Sequence, residues 1–318
     1  MKKSLAVLLG VMLFAACLAD SAWAADREIH VVFIPKSRDQ EFWVFMRAGV
    51  DRAAREAGNV VLTWRGPAYN DQIDAQIQIV QMYTNPGVDA IILAPTDRAR
   101  LAEPVRQAAA AGIKVIVVDS ALDGHDYLNF IGTDNYAAGM HAAERLSTLL
   151  NAQGAVMILR TVAGSASTDQ RASGFIDYLK TNAPKIRIVA DEYGGGTRGK
   201  VSYMAAELLK KHALVDGIFA VNESASDGML RALRQAGLAG KTKFVGFDST
   251  SFLLEGLERK EIHGLIVQDP RQMGYLGLKA ALAAVKNAPF ENKTVLTDAV
   301  MVTLENYQKR EIRALLVP

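Results

Sequence analysis

Two aspartates stand where a carboxylate could meet a ligand. Asp119 follows the apolar run at 115–118 and Asp248 follows the one at 244–247. A polar side chain at the carboxyl end of a parallel strand lies on the sheet edge where open α/β folds bind their ligands. An Asp there can also cap the helix that follows, which is the plainer reading for either residue alone. The two positions are related, however, by an internal repeat. Val88-Asp89-Ala90-Ile91-Ile92 is echoed by Val215-Asp216-Gly217-Ile218-Phe219, and Val117-Val118-Asp119-Ser120 by Gly246-Phe247-Asp248-Ser249, with 30 residues from Asp89 to Asp119 and 32 from Asp216 to Asp248. One βαβ template used twice would bring both carboxylates to one cleft if the halves face each other.

Other strand-end segments hold residues suited to a hydroxylated ligand. Lys36, Gln40, Phe42 and Trp43 follow the first apolar run and Ser120 accompanies Asp119, while the second half contributes Asp169, Gln170, Arg171, Asn222 and Gln268 beside Asp248. Carboxylates accept from hydroxyls, Arg donates through a planar fork, amides do both, and aromatic rings cover a C–H face. No catalytic residues are expected. The five histidines (His30, His125, His141, His212 and His263) lack metal-ligand spacing, and neither a Gly-x-Ser-x-Gly elbow nor a phosphate-binding Gly-Lys-Ser/Thr loop occurs. Gly194-Gly195-Gly196 lacks the context of a dinucleotide fingerprint, so no cofactor and no metal are expected.

The elements that must position these residues alternate along the chain. Runs rich in Val, Ile and Phe predict strands at 29–34, 60–64, 90–93, 115–118, 155–159, 187–190, 217–220, 244–247 and 265–267. Amphipathic stretches predict helices at 42–57, 71–83, 101–111, 136–150, 170–180, 200–211, 225–236, 252–259 and 272–288. Apolar strands separated by helices imply parallel sheets covered on both faces. The fold class is therefore α/β, with two similar doubly wound lobes.

Composition bounds the function. The 318 residues are 50% hydrophobic and 22% charged, and 36 basic against 34 acidic residues leave a net charge of +2. This balance offers no general affinity for nucleic acid or anionic membrane. At the N-terminus, Lys2 and Lys3 precede an apolar run over 5–19, and Ala22-Trp23-Ala24 forms a cleavage site, so residues 1–24 have the pattern of a secretory signal peptide. The single cysteine, Cys17, falls inside it, which leaves a thiol-free mature chain suited to an oxidising compartment. The Ala-Trp-Ala site is favoured over lipidation at Cys17, because Phe14 is a poor residue three places before a lipid acceptor.

Taken in order, several motifs resemble one family. They are Ile34-Pro35-Lys36 with Phe42-Trp43 and Gly49; Asp89-Ala90-Ile91-Ile92 with Pro95-Thr96-Asp97; Gly112-Ile113-Lys114-Val115 through Asp119; Gly132-Thr133-Asp134-Asn135; Arg171 with Gly174-Phe175; Asn222-Glu223; Val245-Gly246-Phe247-Asp248; and Gln268-Asp269-Pro270. Together they resemble the ribose-binding-like (type I) periplasmic solute-binding proteins that deliver sugars to ABC importers.

The resemblance implies Phe42 and Trp43 as aromatic contacts and Asp119, Arg171, Asn222, Asp248 and Gln268 as polar ligand contacts. Ala94, Ser120 and Gly196 depart from the ribose-binding pattern, while Lys36, Asp119, Asp169, Gln170 and the Gly66-Pro67 pair are similar to autoinducer-2-binding relatives. A pentose, polyol or related carbohydrate is the leading ligand class, and an autoinducer-2-like furanosyl compound is the alternative. The family also implies a three-segment hinge near 131–134, 268–269 and 298–300. It divides the mature chain into 25–132 plus 269–298, and 133–268 plus 299–318. The implied partners are a small carbohydrate, the ABC permease with its cytoplasmic ATPase behind it, and a membrane receptor if the role is sensory, with the protein a periplasmic monomer. A sugar-responsive repressor core shares this fold but carries an N-terminal helix-turn-helix, for which the segment before the first strand leaves no room.

Overall fold

A computed structural model describes residues 27–85 and 87–316. The expected signal peptide, residues 1–24, and Cys17 within it lie outside the described residues. The chain forms two six-stranded sheets, each covered by helices on both faces. In chain order the elements are β1 (Ile29–Ile34), α1 (Glu41–Ala57), β2 (Val60–Trp64), α2 (Ile73–Tyr83), β3 (Ala90–Leu93), α3 (Ala102–Ala110), β4 (Lys114–Val118) and β5 (Asn129–Thr133). They continue with α4 (Asn135–Leu149), β6 (Gln153–Arg160), α5 (Ala166–Asn182), β7 (Lys185–Tyr193), α6 (Arg198–Lys211), β8 (Gly217–Ala220), α7 (Glu223–Gln235) and β9 (Lys243–Phe247). The last are α8 (Ser251–Glu258), β10 (Gly264–Gln268), α9 (Pro270–Val285), β11 (Thr294–Thr297), β12 (Ala299–Val302) and α10 (Arg310–Leu316).

The first sheet has the order β11-β5-β4-β3-β1-β2 and the second β12-β10-β9-β8-β6-β7. All pairings are parallel except β10 with β12, which is antiparallel. Four apolar clusters fill the spaces between sheets and helices, with Phe33, Ile92 and Met46 in one and Phe175, Phe219 and Phe247 in another, all essentially buried. The central strands are apolar on both faces, the signature of a sheet sandwiched by helices.

The chain passes between the sheets three times. It leaves β5 for α4 at Asp134, leaves β10 for α9 at Asp269, and leaves β11 for β12 at Asp298. The first two crossings start their helices alike: Asp134 accepts from the Ala137 N–H and Asp269 from the Gln272 N–H, each as an N-cap, with Pro270 fitting the first turn of α9.

The two lobes repeat one another down to single contacts. In the first, a Cβ at Gly49 would lie 1.9 Å from the Arg271 carbonyl oxygen, and one at Gly274 would lie 2.2 Å from that of Met46. In the second, Gly174 and Gly139 stand in the same relation to the carbonyl oxygens of Tyr136 and Arg171, each at 2.0 Å. The helix pairs α1/α9 and α4/α5 thus approach backbone to backbone, which only glycine permits. Asp119 and Asp248 share an unusual conformation as well, with φ of 63° and 67°. Asp is among the few residues that enter this left-handed region at modest cost.

Candidate functional site

The carboxyl ends of the two sheets face each other across a cavity of about 410 Å³, counting its opening to solvent. Its lining includes nine of the expected residues: Lys36, Gln40, Phe42, Trp43, Asp119, Arg171, Asn222, Asp248 and Gln268. The first lobe contributes the loop after β1 and the start of α1, and Asp119 from the end of β4. The second contributes Arg171 from α5, Asn222 after β8, Asp248 after β9 and Gln268 at the end of β10.

Each lobe brings a cation and an anion of its own. Lys36 Nζ stands 2.8 Å from Asp119 Oδ2, both side chains almost fully buried. Burial lowers the Lys36 pKa, and Asp119 works against that shift. In the second lobe Arg171 and Asp248 attract each other, and burial lowers the pKa of the first and raises that of the second. Gln268 connects them, donating from Nε2 to Asp248 Oδ1 at 2.7 Å and accepting at Oε1 from Arg171 at 2.9 Å and from Thr133 Oγ1 at 2.8 Å. The Arg171 guanidinium also donates to Asn135 Oδ1 at 2.8 Å and to the Val221 carbonyl at 3.0 Å, and stacks 3.7 Å from the Phe247 ring centroid. Arg171 is therefore an internal bolt of its lobe as well as a wall of the cavity.

Asp248 does not cap the helix after it. Its Oδ2 accepts from the Glu223 N–H at 2.9 Å, at the start of α7, and thereby fixes the neighbouring strand end. Asn222 is the N-cap of α7, accepting at Oδ1 from the Ala225 N–H at 3.0 Å, which leaves its amide NH₂ for the cavity. On the opposite wall, the Phe42 and Trp43 rings meet edge to face with centroids 4.9 Å apart.

Three of the expected residues fall elsewhere. Helix α5 begins at Ala166 rather than near Gln170, so its 3.6-residue period turns Ser167, Thr168 and Arg171 to the cavity and Asp169 and Gln170 away. Asp169 instead takes an ion pair from Arg160 at 3.2 Å and a hydrogen bond from the Tyr193 hydroxyl at 3.2 Å, and Gln170 is exposed. Ser120 is fully buried outside the lining, with its Oγ accepting from the Ser167 N–H at 3.1 Å. Conversely, Asn70, Thr96, Thr161, Val162, Ser165, Ser167 and Thr168 line the cavity unforeseen. Asn70, Thr96 and Thr161 lie in the loops beyond β2, β3 and β6, so the strand-end rule applied to every strand would have found them.

The cavity is incomplete as a polar network. Gln40 Nε2, Trp43 Nε1 and Asn70 Oδ1 are buried there without a hydrogen-bond partner. Buried polar atoms in this condition cost free energy unless something supplies the missing partner. Two cations balance two anions around them. An α/β protein of two facing sheets, with a largely buried cavity between them whose charges balance and whose polar atoms await a partner, has the makings of a receptor for a small solute.

Residues 31–289 match the sequence profile of the periplasmic binding protein domain. The chain belongs to the periplasmic binding protein family, whose members bind solutes rather than transform them, and its two-sheet arrangement with three crossings is the type I architecture. The D-allose-binding periplasmic protein of Escherichia coli is 27% identical over 309 residues, covering 93% of this chain and 96% of its own. Among solved structures, a carbohydrate transporter solute-binding protein from Agrobacterium radiobacter, in complex with D-arabinose, is 32% identical with a TM-score of 0.88, covering 91% of this chain and 99% of its own. An ABC transporter solute-binding protein from Agrobacterium vitis with bound D-fucose is 33% identical with a TM-score of 0.87, covering 91% of this chain and 100% of its own. No helix among the described residues is long and apolar enough to cross a membrane.

Proposed function

We propose that this protein is the extracytoplasmic receptor of an ABC importer for a small neutral carbohydrate, a pentose, polyol or related sugar. The observation that carries this reading is the buried, charge-balanced cavity in which Gln40, Trp43 and Asn70 present unpaired polar atoms. A sugar ring would offer hydroxyls to these atoms and to Asp119, Asp248, Asn222 and Lys36, and a C–H face to Phe42 and Trp43. A charged solute would leave one charge uncompensated in a site whose own charges already cancel.

Binding would draw together lobes formed by 25–132 plus 269–298 and by 133–268 plus 299–318. A ligand that touches both stabilises the closed arrangement over the open one, and the permease can thereby tell loaded from empty protein. The reading places the mature protein in the periplasm as a monomer, after removal of residues 1–24 and without lipid on Cys17. The partner is the permease, and the same closed form would serve a membrane receptor. The autoinducer-2-like alternative loses support, because Asp169 and Gln170, two residues that suggested it, face away from the cavity.

The test is a thermal-shift screen followed by calorimetry on mature protein with D-arabinose, D-fucose, D-allose, D-ribose, xylitol and autoinducer-2. A ligand present at a hundred times its Kd stabilises the native state by about 2.7 kcal/mol. A shift with at least one neutral sugar or polyol, and none with the corresponding acids, is expected. Binding of an aldonic acid or amino acid in preference to every neutral compound would overturn the reading.

A further inference from the structure

Two helices point their N-termini across the cleft without a side-chain cap of their own. The N-cap of α1 is Gln40 and that of α5 is Ser165, and neither side chain accepts from its own helix. These helices are counterparts in the repeat, each following the first strand of its lobe's βαβ run. In both cases an exposed N–H is met by a residue of the other lobe. Glu223, 1% exposed, accepts at Oε1 from the Glu41 N–H at 3.1 Å and at Oε2 from the Phe42 N–H at 2.9 Å. In the opposite sense, Ser120 of the first lobe accepts from the Ser167 N–H of α5.

We propose that Glu223 and Ser120 are positioning residues that cap each other's facing helix across the cleft, so that closure fixes the two helix ends carrying Phe42, Trp43 and Arg171. The inference rests on the reading of the cavity as a ligand site, since it is those side chains that the caps would hold. Neither residue needs to touch the ligand. Glu223 is held ready by its own lobe: Arg198 donates to Oε1 at 2.6 Å and reaches over to the Asp39 carbonyl at 3.0 Å. An acidic side chain at a helix N-terminus also meets the positive end of the helix dipole. The Ser165 hydroxyl, which would ordinarily cap α5, instead accepts from Lys36 across the cleft at 3.2 Å. When the lobes part, water replaces all these partners, so the caps would exist only in the closed form.

The experiment is amide hydrogen exchange of the wild type, Glu223→Ala, Glu223→Gln and Ser120→Ala. Each is measured alone and with a mixture of D-arabinose, D-fucose, D-allose, D-ribose and xylitol, alongside its thermal midpoint. With the sugar mixture present, the amides of residues 41 and 42 in Glu223→Ala should exchange at least about tenfold faster than in wild type, equal to about 1.4 kcal/mol of lost protection. Glu223→Gln, which keeps one acceptor, should recover part of it, and Ser120→Ala should release the residue 167 amide while leaving 41 and 42 alone. The midpoints without sugar should match that of the wild type, because an open protein has no such caps to lose. Equal exchange in wild type and Glu223→Ala with sugar present would overturn the proposal, as would a midpoint loss of the same size with and without sugar. Should no sugar shift the wild-type midpoint, the carbohydrate reading fails, and the same exchange comparison made with autoinducer-2, aldonic acids and amino acids decides the capping: equal exchange of residues 41, 42 and 167 in all four proteins with whichever of them raises the midpoint would overturn it.

Discussion

Replacing Asp248 by Asn separates what this residue does for binding from what it does for folding. Asn keeps the shape and tolerates the left-handed φ of 67° that Asp248 adopts. The carboxylate accepts from Gln268 Nε2 at 2.7 Å and from the Glu223 N–H at 2.9 Å, whereas an amide has one oxygen and must turn its NH₂ on one of these donors. It also removes one of two anions balancing Lys36 and Arg171. Hydrogen bonds to charged groups are worth about 1.5–3 kcal/mol each. With one lost and a ligand hydroxyl deprived of a carboxylate, affinity should fall by about 2–4 kcal/mol, or roughly 30- to 1,000-fold. Stability of the empty protein should behave differently. Burial raises the pKa of the Asp248 carboxyl, so its ionisation costs more in the native state than in the unfolded chain and at neutral pH works against folding. Asn removes that cost, and the unliganded midpoint should stay within about 3 °C, a shift on the scale of 1 kcal/mol. Of the two tryptophans among the described residues, Trp43 lines the cavity and Trp64 stacks on Phe33 at 4.2 Å, so intrinsic fluorescence titrated with the sugar panel reports binding directly. An affinity within threefold of wild type, or a collapse of the unliganded midpoint, would refute the reasoning.

Three more outcomes are expected. Gly174→Ala forces a Cβ to within 2.0 Å of the Tyr136 carbonyl and should destabilise by about 3 kcal/mol or more, whereas Gly199→Ala meets nothing within 4 Å and should leave the denaturation midpoint unchanged or raised. Lys200→Ala breaks the exposed ion pair to Asp71 at 2.6 Å that joins the lobes at the rim, and calorimetry should show at most about a threefold loss of affinity, vanishing at high salt. His263 is held neutral, its pKa lowered to about 4 from 6.5 by burial and then by Lys243 and Arg145, with Nδ1 accepting from the Phe244 N–H at 3.2 Å. The unfolded chain therefore binds the extra proton first, so stability falls as pH drops from about 6.5 towards 4, and urea titrations of His263→Gln across that window should show a flatter slope.

Which parts of this could be read in the sequence follows from how each part announces itself. Uninterrupted apolar runs such as Ala-Ile-Ile-Leu at 90–93 can only be buried strands, and the central strands lie where that pattern puts them. Three of the strands flanking the crossings, β5, β11 and β12, were not anticipated, although β12 reads Ala-Val-Met-Val. β5 reads Asn-Phe-Ile-Gly-Thr, and β11 and β12 have four residues each, held by their neighbours more than by their own propensity. The cavity residues that follow strands were legible because strand ends share one edge. Asp169 and Gln170 were misplaced because a helix start shifted by four residues changes which side chains look inward. The capping contacts of Glu223 and Ser120 gave no sign in the sequence, since caps supplied from 182 and 47 residues away have no local pattern.

The division of charge explains why closure can wait for a ligand. Lys36 is balanced by Asp119 within one lobe and Arg171 by Asp248 within the other, so the charges that line the cavity cancel within each lobe. Opposite net charges would pull the lobes shut without cargo, and like charges would make closing costly even with it. Two internally balanced linings do neither, and what remains is a set of short polar contacts that favour closure only modestly. Set against them are the buried atoms of Gln40, Trp43 and Asn70, whose loss of water is uncompensated until a solute arrives. On the proposed hinge-closing reading, empty closure would cost free energy at the same atoms that reward loaded closure, and the difference between the two would be the signal that a membrane partner reads.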